Sequence, residues 1–322
     1  MVRVARWRAP LVVLLAITAL QRTTAGSAAD DNKRVVQRFF AAINRGDANA
    51  AAKHFAFGAL NYGEKVPRDA RVFFQTGAED ILHTFPDWRM AVIDVVAEGD
   101  SVVALCRVTG THRGVGHLPL NGGLMNDVQP TNRKIDVVHI HWFKVNGGQI
   151  TDHYVARDDA GMYKQLGILP NAAVSETSMR LASSEPIVPT PERWRAADIT
   201  RNKTAVVDFF DRENARDTSA LATTVRVGFT DIIRAFPDWQ WRVVDIVGQG
   251  DSVVALVRAS GTHRGVSQLP VNGALLVGMP PTGKHFDVWH IHWFKLVDGR
   301  IATDYRVRDD IGLYNQLGVL SK

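Results

Sequence analysis

Between Asp31 and Asn44 the apolar residues Val35, Val36, Phe39, Phe40 and Ile43 recur at helical spacing, and Gly46-Asp47 ends the run. The segment predicts an amphipathic helix. A second helix is predicted over Ala48 to Phe55 and a third over Ala70 to His83. From Trp88 onward the pattern becomes that of strands: Met90 to Val96, a turn at Glu98-Gly99-Asp100, then Ser101 to Gly110. Ile135 to Val145 is a long strand ended by Asn146-Gly147-Gly148, a hairpin signal, and Gln149 to Ala156 completes the meander. Ala160 to Leu166 predicts a short closing helix, with Gly167 placed to end it. Helices followed by an antiparallel sheet make an α+β order.

The pattern then repeats. Phe85 to Gly167 returns without a gap as Phe236 to Gly318, 151 positions later, and 47 of the 83 pairs are identical. Phe85-Pro86-Asp87-Trp88, Gly110-Thr111-His112-Arg113-Gly114, His139-Ile140-His141-Trp142-Phe143-Lys144 and Arg157-Asp158-Asp159 all recur. A period this long is a domain, not a solenoid unit of ~20–50 residues. The division predicted is 1–29 as a leader, 30–169 as the first domain, 170–201 as a linker and 202–322 as the second domain. Ser183, Ser184, Pro186, Pro189 and Pro191 give the linker its character. From Val35 to Phe85 is 50 residues, but from Val206 to Phe236 only 30. The second copy therefore lacks most of the helix and loop from Lys53 to Phe74, which should roof one mouth of the sheet. Its pocket is expected to be more open or collapsed, and its activity weaker.

Charge changes meaning once the N-terminus is considered. Arg3, Arg6 and Arg8 precede an apolar stretch from Leu11 to Leu20, followed by Gly26-Ser27-Ala28-Ala29. This reads as a secretory signal cut near Ala28 or Ala29, so the chain is expected to be secreted or periplasmic. An uncleaved membrane anchor is the alternative, although the stretch is shorter than the ~20 residues of a spanning helix. The leader's four arginines reduce the net charge from +5 to +1 when removed, and no basic run with interleaved aromatics suggests nucleic acid. The single cysteine, Cys106, answers to Val257 and reads as a core residue.

His139 and His141 are two apart on a predicted strand and share a face with Val137 and Phe143; Val138, Ile140, Trp142 and Lys144 share the other. Histidines on an apolar wall suit proton transfer near neutral pH, or they fill the concave side as hydrogen-bonded core. His-x-His with Asp158 could also hold a metal, but nothing else in the sequence reinforces that arrangement and no metal is expected. His112 and His263, at a strand end, read as structural or pocket-lining, and Phe85 and Trp88 as core at the helix-to-strand junction. No nucleophile motif or phosphate-binding glycine loop is present.

Phe-Pro-Asp-Trp, Gly-Asp-Ser-Val-Val, Gly-Thr-His-x-Gly, Pro281-Thr282-Gly283-Lys284 and the closing Asp-x-x-Gly-x-x-x-Gln-Leu-Gly together resemble the SnoaL-like polyketide cyclases, or ester cyclases, of the nuclear transport factor 2 superfamily. The resemblance covers both halves apart from leader and linker. It implies two tandem cone-shaped α+β barrels, each a curved antiparallel sheet closed by N-terminal helices, packed as an intrachain pseudo-dimer. Ile140, Trp142, Ile291 and Trp293 would then lie between the halves. It also implies cofactor-free acid–base chemistry of cyclase, isomerase or lyase type on a small apolar carbonyl or ester compound. Asp158 and Asp309 match the family's acid/base aspartate, and His141 and His292 the strand histidine. His139, His290, His112, Tyr154 and Trp88 are the expected substrate-binding residues. For Asp158 to face the pocket, Asp159 would cap the closing helix, as its position suggests. Departures from the family are Tyr62 after Asn61, Asn132-Arg133 in place of Gly-Lys, and Tyr154 and Tyr305 where Trp is usual. A non-catalytic ligand-binding or scaffold protein using the same pocket is the alternative reading.

Overall fold

The stripe Val35, Val36, Phe39, Phe40 and Ile43 is buried along one side of helix α1 (Val13–Asn44), which lies against the sheet that follows. The computed structural model describes residues 13–63, 66–118, 125–169, 196–219, 221, 223–270 and 275–320. The first twelve residues of the predicted leader, and the predicted linker from 170 to 195, lie outside the described residues. Ala196 to Arg201, also assigned to the linker, instead form the first turns of a helix. Among the described residues, no helix is long and apolar enough to cross a membrane.

Asn44 fastens α1 to the sheet: its side chain exchanges two hydrogen bonds of 2.8 Å with the backbone of Met90. After it come α2 (Ala48–Ala52), β1 (Phe55–Asn61), β2 (Arg68–Asp69) and α3 (Ala70–Val72), which passes through a π turn at Phe73–Gly77 into α4 (Ala78–Thr84). The meander is β3 (Arg89–Glu98), β4 (Ser101–Thr111), β5 (Lys134–Asn146) and β6 (Gln149–Arg157), closed by α5 (Asp159–Leu166). The six strands run in the order β2-β1-β6-β5-β4-β3. One expectation is corrected here. The second helix stops at Ala52, and Phe55–Asn61 is a strand paired parallel to β6. Phe55, Ala59 and Asn61 are buried on its inner side while Gly58 takes φ +76, a conformation that suits glycine and no helix interior.

The second half repeats the plan with α6 (Ala196–Asn214), α7 (Thr223–Ala235), β7 (Gln240–Gln249), β8 (Ser252–Thr262), β9 (His285–Val297), β10 (Arg300–Arg308) and α8 (Asp310–Leu317). Asn214 makes the same paired bonds to Trp241 that Asn44 makes to Met90. Its sheet has four strands, β10-β9-β8-β7, and among the described residues nothing replaces β1 and β2. A register shift between Val92 and Asp94, repeated between Val243 and Asp245, bulges the strand that pairs with β4 or β8 and bends each sheet around its inner face.

The two outer faces meet. Val103, Leu105, Ile140, Trp142, Val254, Leu256, Ile291 and Trp293 form one buried cluster between the sheets, so the predicted pseudo-dimer contact is the observed one. Its polar rim is reciprocal under the 151-residue repeat. Lys144 pairs with Asp245 at 2.7 Å and Lys295 with Asp94 at 3.4 Å. The Ala97 amide donates to Gln249 at 3.0 Å, and the Gly248 amide to Glu98 at 2.8 Å. Residue i touching j while the copy of j touches the copy of i is the mark of an isologous, two-fold interface. The indole nitrogens of Trp142 and Trp293 are buried without a partner, so the centre of this contact is held by apolar burial alone.

Because both outer faces are buried only by each other, the halves are expected to unfold as one unit. Trp142→Ala should cost about 3–5 kcal/mol and lower the single calorimetric transition. Two resolved transitions in the parent protein, with the variant's upper one unmoved, would contradict a shared core.

Candidate functional site

The inner face of the first sheet and the helices above it form a partly open cavity of about 60 Å³. Phe39 and Ile43 of α1, Phe73, Phe74, Ala78, Ile81 and Leu82 of the roof, and Trp88 and Met90 supply apolar walls. Among the described residues, polar groups enter from two strands: His139 and His141 from β5, and His153 and Arg157 from β6. Strand register explains the set, since His141 lies opposite Val155 and Phe143 opposite His153, which puts the odd-numbered residues of both strands on one face.

Three side chains form a chain of hydrogen bonds. His141 Nδ1 lies 2.9 Å from His153 Nε2, and His153 Nδ1 lies 2.7 Å from Asn61 Oδ1. The Gly63 amide donates to the same Asn61 oxygen at 3.4 Å, which orients the amide so that this oxygen is the acceptor. Each link then has one donor. His153 donates through Nδ1 to Asn61 and accepts at Nε2 from His141 Nδ1–H, so the proton-free nitrogen of His141 is Nε2. That atom, like His139 Nε2, is buried with no hydrogen-bond partner. Burial pushes the His141 imidazole down to about 3, with the Arg157 charge adding to the effect. His139 and His153 are held well below the ordinary value, by burial first, then by His141 and Arg157. All three rings are neutral at physiological pH.

A SnoaL-like polyketide cyclase family model matches residues 33–166 and again 193–317, once for each half. The chain is a member of that family. Solved structures resemble one half at a time. AclR from Streptomyces galilaeus is 25% identical over 44% of this chain and 99% of its own, with a TM-score of 0.38. TsrD from Streptomyces laurentii is 24% identical over 44% and 97%, TM-score 0.37. IdmH from Streptomyces antibioticus is 26% identical over 42% and 98%, TM-score 0.34. No functionally curated protein matches the chain.

Of the residues expected from the sequence, the structure brings His139, His141 and Trp88 to the cavity. Asp158 is elsewhere. The expected division of labour is reversed: the Asp158 carboxylate caps α5, accepting from the Gly161 amide at 2.9 Å, while Asp159 pairs with Arg157 at 3.1 Å. Asp309 caps α8 in the same way, through Gly312 at 2.7 Å. Burial raises both capping carboxyls to about 6. Tyr154 is on the opposite face of β6, stacked on Tyr62 and edge-on to Trp289 of the other half. His112 is tied to the 131 loop, its Nδ1 accepting from the Thr131 amide at 3.1 Å. His153, Arg157 and Asn61 went unrecognised; the available signal was that 153, 155 and 157 share the parity of the inward face, and 154 does not.

Four positions differ between the inner faces of the two halves. The shared asparagine anchors align Ile43 with Glu213 and Met90 with Trp241, and the repeat aligns His153 with Asp304 and Val155 with Arg306. Trp241 donates to Glu213 at 2.7 Å and stands 5.3 and 5.4 Å from the rings of His290 and His292. It stands at the position of Met90, which lines the first-half cavity, and packs against both second-half histidines. His292 Nδ1 lies 3.1 Å from Asp304, and both His290 nitrogens are buried without partners.

Acid should unfold this protein early. An unfolded histidine takes up its proton near pH 6.5, whereas His139, His141, His153, His290 and His292 are all held lower by burial. Unfolding thus binds protons below that pH, each histidine costing about 1.4 kcal/mol per pH unit. Asp158 and Asp309, raised to about 6, Glu213, raised to about 7, and Asp159, also raised, act in the opposite sense, but they are four against these five histidines and against His54, His112 and His263, which burial lowers too. Melts followed by circular dichroism are expected to show a Tm falling steeply from pH 7 to pH 5; a Tm unchanged over that interval would contradict neutral buried histidines.

Proposed function

We propose that the first half is a cofactor-independent acid–base site, of cyclase, isomerase or lyase type, acting on a small apolar carbonyl or ester compound. The observation that carries the reading is the chain Asn61–His153–His141, which ends in an unprotonated nitrogen of a buried, neutral imidazole. His141 Nε2 takes a proton from the carbon α to the carbonyl, and the C–H electron pair moves into the enolate. His139 donates through Nε2 to the enolate oxygen, a preorganised contact in an apolar site. In the empty cavity a charge on His141 is disfavoured. An enolate beside it supplies the counter-charge that burial withholds, so the proton moves within an ion pair. Asp158, committed to a helix cap and absent from the cavity wall, takes no part.

The site is proposed to act after export, and the intact mass of the protein recovered outside the cell reads whether the chain is cut near Ala29.

The α-hydrogen exchange of 2-butanone in deuterium oxide, followed by proton NMR, tests the chemistry. His141→Ala is expected to lose 10²–10⁴-fold of the enzymatic exchange, the usual contribution of a positioned base, and His153→Ala a substantial part of it. Asp158→Asn and His292→Ala should keep most. No exchange above buffer in the parent protein, with the ketone still bound, would favour the ligand-binding alternative.

A further inference from the structure

We propose that the first half docks on an anionic lipid surface through a patch built from β1, β2 and α3, with Phe57 as its apolar anchor and Arg71 beside it. The patch gives the protein a binding surface that does not depend on the acid–base reading.

Two kinds of side chain meet there. The first is apolar and exposed. Phe57 on β1 is 90% exposed, and Leu60 on the same strand, Val66 before β2 and Val72 at the end of α3 are exposed as well. Because β1 pairs with β2 and packs against α3, these residues belong to one corner of the first half. Single apolar side chains are ordinary on a surface, but a group of them around a whole phenyl ring left in water marks an interaction site. The second kind is basic. The Arg71 guanidinium lies 4.2 Å from the centre of the Phe57 ring, a cation–π contact that keeps ring and charge on one side. Arg68 is exposed on β2, and Lys53 is exposed at the end of α2, which touches α3. Arg38 and Arg45 stand beside that helix too: burial first, then these two charges, hold His54 below the ordinary histidine value. The acids among these described residues, Asp47 and Asp69, are each committed to a helix cap, accepting from the Ala50 amide at 2.8 Å and the Val72 amide at 3.0 Å.

Charge decides the occupant. From Val36 to Gly77 the chain has six basic residues and three acids, whereas the corresponding stretch of the second half, Val206 to Gly228, has three and four. The residues by which the first half exceeds its copy thus bring positive charge and the exposed ring together. A second copy of the chain meeting this patch across a two-fold axis would set cation against cation. A ring that projects into solvent suits a fluid boundary, which needs no preformed pocket to receive it. The acyl region of a bilayer covers the ring and the valines, while lipid phosphates meet the guanidinium and ammonium groups, the combination by which interfacial surfaces hold anionic membranes. Val72 is followed directly by Phe73 and Phe74, which line the cavity, so a bilayer held at this corner lies against the roof of the site.

Co-sedimentation of the full chain with phosphatidylcholine vesicles, with and without phosphatidylglycerol, tests the surface. Binding is expected to be at least about tenfold tighter with phosphatidylglycerol and to weaken as salt is added. Phe57→Ser and Arg71→Glu should each weaken it at least about fivefold. Phe57→Ser should leave the Tm unchanged because the ring is exposed, and Val297→Ser, at an exposed position of the second half, should leave binding intact. Equal binding to the two vesicles, no binding to either, or binding that survives both Phe57→Ser and Arg71→Glu and so belongs to another segment would overturn the proposal. A Phe57-dependent dimer in place of vesicle binding would overturn it by assigning the patch to a second copy, and polyglutamate bound where vesicles are not would assign it to an acidic protein. Exchange of 2-butanone needs no membrane, so the acid–base reading stands or falls without moving these results.

Discussion

Each sheet of this protein has two apolar faces, and water can be kept from only one of them by the helices of its own half. That constraint organises the rest. The inner faces are covered by α1 or α6; the outer faces, bearing Trp142 and Trp293, are covered by each other. A strand such as β5, buried along nearly its whole length, reads as a run of hydrophobic residues without clean alternation because both sides are core. Duplication supplies the second outer face in the same chain, at no cost in association entropy. The reciprocal pairs of Lys144 with Asp245 and Lys295 with Asp94 set the register at its edge.

Burial on the inner side then decides the chemistry. Five histidines facing inward cannot hold a proton there, so they act as neutral donors and acceptors whose tautomers are set by their neighbours. In the first half the neighbour is His153 backed by Asn61; in the second it is Asp304. Four positions distinguish the inner faces of the two halves. Ile43 and Met90 leave space that Glu213 and Trp241 occupy, and strands β1 and β2 exist in the first half alone among the described residues, whereas α7 stands where α3 and α4 do.

Much of this was legible in the residues, and the misses have physical causes. Strand parity placed His139 and His141 inward and Ile140 and Trp142 outward, since alternation on a strand is nearly rigid. Parity read across to β6 would have chosen His153 and Arg157 over Tyr154, but cross-strand register depends on the turn at Asn146-Gly147-Gly148 and on a shift near Val145 that no local pattern reveals. The choice between Asp158 and Asp159 turned on one residue of helix boundary, below the precision with which a cap can be placed from sequence. β1 was read as helix and loop because its short inner set, Phe55, Ala59 and Asn61, follows a helical stretch and is interrupted by Gly58. Asn61 gains its meaning only from pairing with β6, a contact 92 residues away.

The central claim is that His141 is held neutral, with its proton on Nδ1, by the path through His153 to Asn61. Nitrogen-15 NMR of the histidine rings in the full chain measures this directly, with His141→Gln used to assign the signals. Between pH 6 and 8 the His141 ring should show a protonated Nδ1 and an unprotonated Nε2, unchanged across the range, and Asn61→Ala should disturb that pattern. An imidazolium signal for His141 within the range, or a proton resident on Nε2, would contradict the account.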